Sequence, residues 1–363
     1  MSRFYALELY APVIKGSVTQ SRSVTVYFPS NQSSVLPGKS VRTVTTPQSV
    51  TYPSATKVWT SHPNGIYDPG AQNIAFDVLT YGLGQGDNIF AITLEGVSYQ
   101  DIKQHNNFRD YGLRLYAGML PGLPLADNQP TPGLIVQGYV IEGIGNWVGN
   151  DMTLTFIVNP DQFSEKNPGN LIFTWKPGQT LAQALQSMIS LAYPGVTFTA
   201  EIDQNLATSH TVTHRAANLS DFAQWLKQYT QYELGSDYPG VEIYFTPGKI
   251  VASDGTQSAN KSPLTIAFDD LIGQPVWSDA SQMDVTVAMR ADVKLGQMIQ
   301  LPYTVAAPGL QVELPSLTNA SLNYETSFKG AFQVQHTRQL GDLRSDDGAA
   351  WATVIRCYAG KVA

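Results

Sequence analysis

One cysteine, Cys357, is the only thiol in 363 residues, so no intrachain disulfide can form and nothing here requires an oxidising compartment. Charge is scarce too. Charged residues make up 14% of the chain, against about 25% in an average globular domain. The balance is 22 basic against 29 acidic residues, a formal net charge of −7, and no run of Lys or Arg occurs. Sequence-independent nucleic-acid binding draws on clustered cations that neutralise phosphates, so a tight DNA binder is excluded. No apolar stretch approaches the ~20 residues of a membrane-spanning helix, and the first ten residues lack a charged segment leading into an apolar one. The expectation is a soluble protein, without a membrane partner, folded in a reducing cytoplasm.

What is present is ample for buried cores: 43% of residues are hydrophobic, and the length predicts two or three domains at about 150 residues each. With so few charges, the surface must be covered by Ser, Thr, Gln, Asn and Gly, or by other protein. From residue 23 to 158 short alternating or apolar runs are separated by turn residues, the pattern of strands. Examples are Val24-Thr25-Val26-Tyr27-Phe28, Phe90-Ala91-Ile92-Thr93-Leu94, Leu134-Ile135-Val136 and residues 152–158. In the last, Met152, Leu154, Phe156 and Val158 share one face, as in a half-buried antiparallel sheet. Ser98 ahead of Asp101-Ile102-Lys103 can cap one short helix. One helix among many strands points to a barrel or sandwich. Residues 30–69, rich in Ser, Thr, Pro and Asn, are expected to form long loops or an extended hairpin.

The composition shifts near Asn159-Pro160, where Pro160, Asn167-Pro168-Gly169 and Pro177-Gly178 mark turns. Thr180-Leu181-Ala182-Gln183 then fits a capping box, with Leu181, Leu185, Met188 and Ile189 at helical spacing and Tyr193-Pro194-Gly195 as its end. A strand at residues 196–200, a helix opened by Ser220-Asp221 with Phe222, Leu226 and Tyr229 on one face, and a strand at residues 241–245 complete an α/β module. From Leu264 the alternation resumes in Val285, Val287 and Met289, in Phe332 and Val334, and in a final strand through Trp351-Ala352-Thr353-Val354-Ile355. The fold class predicted is mainly β with an α/β insert. Residues 1–164 form a first β domain with an extended loop near 30–69, 165–250 the α/β module and 251–363 a second β domain. Residues 110–116 and 292–299 echo each other, each placing an acid, a base and alternating aliphatics at a strand start.

No catalytic constellation emerges. His210 and His214 have the spacing of a metal-binding helix, yet the Glu expected after the first is missing and Thr211-Val212-Thr213 favours a strand. Five histidines and one cysteine make a structural zinc site improbable. Gly82-Leu83-Gly84-Gln85-Gly86 and Gly143-Ile144-Gly145 open no helix that could hold a phosphate, and read as hairpin turns. Gly96-Val97-Ser98 lacks the closing Gly of a nucleophile elbow. Asp269-Asp270 and Asp346-Asp347 suit turns and caps better than a sugar-cleaving pair, because neighbours on a strand point to opposite faces. Cys357 reads as a small buried hydrophobe, although His336 could lie near it in space. Neither a cofactor nor a metal is expected, and the chain is read as non-enzymatic.

Several segments together carry a resemblance. Residues 96–102, Leu115-Tyr116-Ala117-Gly118-Met119-Leu120-Pro121-Gly122-Leu123-Pro124-Leu125-Ala126, Gln137-Gly138 and Gly145-Asn146-Trp147 resemble the first β domain of bacteriophage tail baseplate hub proteins. Residues 268–275 and 289–296 resemble its second, and Phe222-Ala223-Gln224-Trp225-Leu226 its α/β part. The resemblance implies two tail-tube-like β-barrels flanking the α/β module. It further implies a homotrimer whose six barrels join a hexameric tail tube to a trimeric spike or tip in the virion tail baseplate, after assembly in the host cytoplasm. Implied partners are the tail tube or distal tail protein, the spike or tip protein and a tape measure protein, with DNA passing through the channel unbound. Low charge and 18 tyrosines suit broad interfaces. The interface residues implied are Pro121, Gly122, Leu123 and Pro124, with Arg290 and Asp292. Two rival readings stand beside this. Pro177-Gly178-Gln179-Thr180-Leu181 resembles the opening of a LysM-like repeat, as in a peptidoglycan-binding or hydrolysing tail protein, and Trp147, Trp277 and the tyrosines could stack on sugars of a host-recognition site.

Overall fold

The computed structural model describes residues 2–11, 55–83, 88–120, 132–160, 170–193, 196–235, 238, 240–246, 249–256, 262–278, 282–302 and 331–358. The strand expected at 24–28, residues 30–54 of the expected extended loop, the Pro121-Gly122-Leu123-Pro124 loop, Gly84 and Gly86, Asn167-Pro168-Gly169 and Pro194-Gly195 lie outside these.

The first strands are β1 (Ser2–Tyr10), buried on both faces from Phe4 to Leu9, β2 (Lys57–Thr60), and the alternating β3 (Asn73–Thr80) and β4 (Phe90–Glu95). Helix α1 (Tyr99–Lys103) follows, capped by the Ser98 hydroxyl, which accepts from the Asp101 amide. Then come β5 (Gly112–Leu120), β6 (Gly133–Val148) and β7 (Asp151–Asn159). On β7 Leu154, Phe156 and Val158 point into the core, as their spacing predicts.

The α/β module contains β8 (Leu171–Trp175), α2 (Leu181–Ala192), β9 (Thr197–Glu201), β10 (Val212–Ala216), α3 (Leu219–Leu234), β11 (Glu242–Thr246) and β12 (Lys249–Ser253). The capping box of α2 forms: the Thr180 hydroxyl accepts from the Gln183 amide and the Gln183 side chain accepts from the Thr180 amide. Helix α3 starts earlier than Ser220-Asp221 suggests, because the Asn218 side chain accepts from the Asp221 amide at 2.8 Å and takes the cap. The module has its own core, centred on Phe173, Leu185, Phe222, Leu226 and Ile243. Leu83, from the β3–β4 connection, is buried in that core, and its amide donates to the Ile243 carbonyl at 2.7 Å.

The last part holds β13 (Leu264–Thr265), β14 (Val276–Trp277), β15 (Gln282–Ala288), β16 (Met298–Gln300), β17 (Ala331–Asp342) and β18 (Trp351–Tyr358). The fold is mainly β with an α/β insert. Among the described residues the first and last parts merge into one 13-stranded sheet, ordered β14-β15-β18-β17-β3-β4-β7-β6-β5-β1-β2, with β16 also pairing β17 and β13 pairing β16. Two large cores lie along it, one lined by Leu7, Ile92, Leu113 and Phe156, the other by Val285, Ile299, Val334 and Ile355, with a small cluster of Phe4, Ala6, Tyr116 and Leu120 beside the first.

The strand order is the same twice. The first part runs β3-β4-β7-β6-β5-β1 and the last β14-β15-β18-β17-β16-β13, each in the same order along the chain. The first four pairings of each series are antiparallel. Only the fifth differs in sense, antiparallel for β1–β5 and parallel for the two-residue β13 on β16. A β-bulge marks the same place in both hairpins, skipping Ile141 on β6 and Gln335 on β17. Matching the bulges superimposes the registers: Val334 stands where Val140 does, Cys357 where Val158 does, Met283 where Phe90 does and Ile299 where Leu113 does. All eight are buried.

Candidate assembly surfaces

His214 lies on β10 and stacks flat on Trp225 with centroids 3.9 Å apart, while His210 is in the exposed loop before it. Among the described residues no group of three or more His, Cys, Asp or Glu is arranged to hold a metal. Burial and the nearby Asp284 charge push the Cys357 thiol up to about 12, so it stays protonated at neutral pH and is no nucleophile. His336 pairs across the ladder with Arg356 rather than Cys357, and burial together with the Arg356 charge lowers its pKa. Gly143-Ile144-Gly145 is not a hairpin turn: it lies inside β6. A Cβ on Gly143 would fall 2.5 Å from the His105 carbonyl and one on Gly145 2.8 Å from Ile102, so glycine lets α1 and the turn after it lie flat on the strand.

The acidic pairs separate. Asp347 caps a 3-10 turn by accepting from the Ala349 amide. Asp270 instead meets Arg290, whose guanidinium holds Asp292 through two bonds of 2.7 Å and Asp270 at 3.1 Å. Arg290 is 4% exposed. Burial opposes its charge, but the hydrogen bonds and charges of Asp292 and Asp270 outweigh that and raise its pKa. Its backbone amide donates to the Thr353 hydroxyl at 3.1 Å. Arg290 thus ties the turn before β14 and the β15–β16 connection to β18, leaving Asp292 as the exposed member of the cluster. The sequence offered no sign of this knot beyond the Arg-x-Asp spacing.

Contacts between the two β parts run along one seam. On β3 and β17 Thr80 faces Thr337 and Ala75 faces Asp342, antiparallel. Across the outer face of that seam Arg338 clasps Asp77 with bonds of 2.7 and 2.5 Å, both side chains about half exposed. Inside, Trp351 of β18 enters the first core, edge-on to Phe76 at 5.6 Å, and its indole N–H donates to the Gly118 carbonyl at 2.9 Å. Arg3 of β1 donates to the carbonyls of Asp342, at the end of β17, and of Leu343, Ser345 and Asp347 beyond it. A cleft of about 620 Å³ opens where the parts meet, lined by Leu134, Glu201, Lys249, Asp292 and Lys294 among others.

Among the described residues, both ends of the sheet's strand repeat expose apolar side chains. The outer half of β6 carries Ile144, Trp147 and Val148, with Tyr99 of α1 edge-on to Trp147 at 5.5 Å. At the far end of the sheet, Val276 on β14 and Phe268 in the turn before it are exposed. Trp147 is therefore an accessible ring, whereas Trp277 packs against the second core.

No protein-family model matches the chain, and no curated protein sequence matches it. Among solved structures it is similar to a tail protein from Neisseria meningitidis, at 10% identity and a TM-score of 0.46, over 83% of this chain and 96% of that one. A component of the Escherichia coli type VI secretion system, itself described as structurally similar to bacteriophage T4 tail proteins, matches at 9% identity and 0.46, over 78% and 73%. A 43 kDa prophage tail protein from Shewanella oneidensis matches at 8% identity and 0.44, over 80% and 98%.

Proposed function

We propose that this chain is the structural hub of a phage tail or related injection machine, a non-enzymatic symmetry adaptor working as a homotrimer. Residues 1–164 and 251–363 act as two tube-like β units, with residues 165–250 inserted between them. Three copies then present six similar units to a hexameric tube on one side and threefold symmetry to a spike or tip on the other. DNA passes through the central channel without adhering, since the chain carries a net charge of −7 and no basic run. Its place is the baseplate of the virion tail, reached from the host cytoplasm, with the tube or distal tail protein, the spike and the tape measure protein as neighbours. Pro121, Gly122, Leu123 and Pro124, with Arg290 and Asp292, are proposed to contribute to its contacts.

The observation that carries this reading is the repeated strand order, bulge included, in one polypeptide. A ring of identical chains gains sixfold character from threefold symmetry only when each chain holds two equivalent units. Native mass spectrometry of the purified chain checks it. The expected species is three times the 39.5 kDa subunit mass, seen as a threefold ring by electron microscopy. A chain that stays monomeric with and without tube and spike proteins sinks the proposal.

A further inference from the structure

From the repeat, we infer which edges join one copy to the next: β14 of one chain adds, antiparallel, to the outer half of β6 in a second copy of the same chain. The inference rests on the ring reading above and specifies its interface. Within the chain, the equivalent join is visible. β17 pairs β18 along one edge, and on its other edge residues 331–333 pair β16 while residues 337–342 pair β3. Strand β6 is its counterpart, pairing β7 along one edge and β5 through residues 133–139 on the other. Matching the bulges places residues 143–148 where 337–342 stand. Among the described residues no strand pairs with the second edge of residues 143–148, and β14, the counterpart of β3, is the last strand of the sheet. The two strands used by the internal seam are thus the two whose counterparts end at the chain's own boundary.

The register follows. Continuing the β3–β4 pairing by one residue sets Val276 in the place of Asp77, and Asp77 faces Leu340, the counterpart of Asn146. Val276 of one copy therefore faces Asn146 of the next. The chemistry agrees with this register. Arg338, which clasps Asp77 across the internal seam, corresponds to Ile144. The charged pair Arg338–Asp77 is replaced by Ile144 and Val276, which are 38% and 63% exposed in the single chain. Both partners have changed from charged to apolar, as a diagonal cross-strand pair must if its members are to match. Val148 extends the apolar surface on the face of Ile144, while Trp147 and Tyr99 lie on the opposite face of β6.

Two readouts test it, each on the full chain with folding checked by circular dichroism. First, Asn146→Cys and Val276→Cys are combined; residues facing each other on paired strands lie within disulfide reach. Oxidation is expected to give covalent dimers and closed trimers on a non-reducing gel, and either single variant none. Second, Ile144→Arg or Val276→Asp alone is expected to raise the concentration for half-assembly at least about tenfold, with the double variant restoring it by rebuilding the charged pair. Should the wild-type chain form trimers while the cysteine pair gives no cross-link and the charged variants assemble as the wild type does, the edge pairing is overturned and the ring reading stays intact. A wild-type chain that never assembles overturns both.

Discussion

The two β parts share a strand order but differ in what fills it. The first is long-stranded and aromatic: β1 pairs β5 from Ser2 to Tyr10, and Trp59, Phe108 and Phe156 meet in its core. The last is pared down, with β13, β14 and β16 of two or three residues and a core mainly of Val, Ile, Leu and Met, in which Phe332 and Tyr244 are the buried aromatics. At matched positions the polarity of the face persists while the side chain changes: Ile92 becomes Val285, Leu94 Val287, Phe156 Ile355 and Val158 Cys357. The exception is instructive. Leu154 becomes Thr353, and in the same layer Val97 becomes Arg290, whose amide donates to the Thr353 hydroxyl. The Thr353 hydroxyl is satisfied by a main-chain donor, and the Arg290 guanidinium by Asp292 and Asp270. A ladder therefore tolerates exchange of identity as long as each buried position stays apolar or finds its partner.

The largest test of this comparison concerns the residue that breaks its symmetry. Trp351 corresponds to Met152, which is only partly buried, yet Trp351 is wholly enclosed in the core of the other β part. Trp351→Ala leaves a cavity beside Phe76 and orphans the Gly118 carbonyl, at an expected cost of about 3–5 kcal/mol. Urea unfolding followed by circular dichroism measures it, and Met152→Ala is expected to cost clearly less. A loss below about 1 kcal/mol for Trp351→Ala would mean that the two parts do not depend on a shared core.

Much of this architecture was legible in the sequence. The alternation in β7, β15 and β17, the capping box of α2 and the Ser98 cap of α1 all follow from local rules that tertiary packing did not override. The echo between residues 110–116 and 292–299 fell on the right strand pair but out of step, since Leu113 matches Ile299 rather than Leu295. A bulge shifts register without any sequence mark, so alternation alone cannot align the repeats. The seam was illegible for a related reason. Nothing local to Asp77 or Arg338 says that strands 261 residues apart will meet. The Gly143 and Gly145 reading failed because glycine serves close approach within a strand as readily as it serves a turn.

A medium-sized effect separates the parts at the bulge itself, where Glu142 on β6 corresponds to His336 on β17. Burial and the Arg356 charge hold the folded-state pKa of His336 below its unfolded value near ~6.5. Its contribution to stability is therefore fully present above that unfolded value and is lost as the pH falls through the folded one. His336→Gln removes the linkage. Denaturant midpoints measured between pH 7.5 and 5 are expected to fall less steeply for the variant than for the wild type. Equal slopes would place the acid sensitivity elsewhere, with His62 the next candidate because burial lowers its pKa too.

The smallest effect concerns the seam's outer face. Arg338 and Asp77 form a two-pronged pair, but both are about half exposed, so solvent and side-chain entropy offset most of the attraction. Arg338→Ala is expected to lower the stability of the single chain by only about 0.2–1 kcal/mol, with the difference shrinking as salt rises. Thermal unfolding at low and high ionic strength checks this. A small value fits the proposed correspondence with Ile144 and Val276: the backbone ladder and Trp351 hold the internal seam, and the side-chain pair across it selects which edges match. A loss of several kcal/mol would show that the charged pair itself holds the seam. An apolar pair could not then take its place between copies.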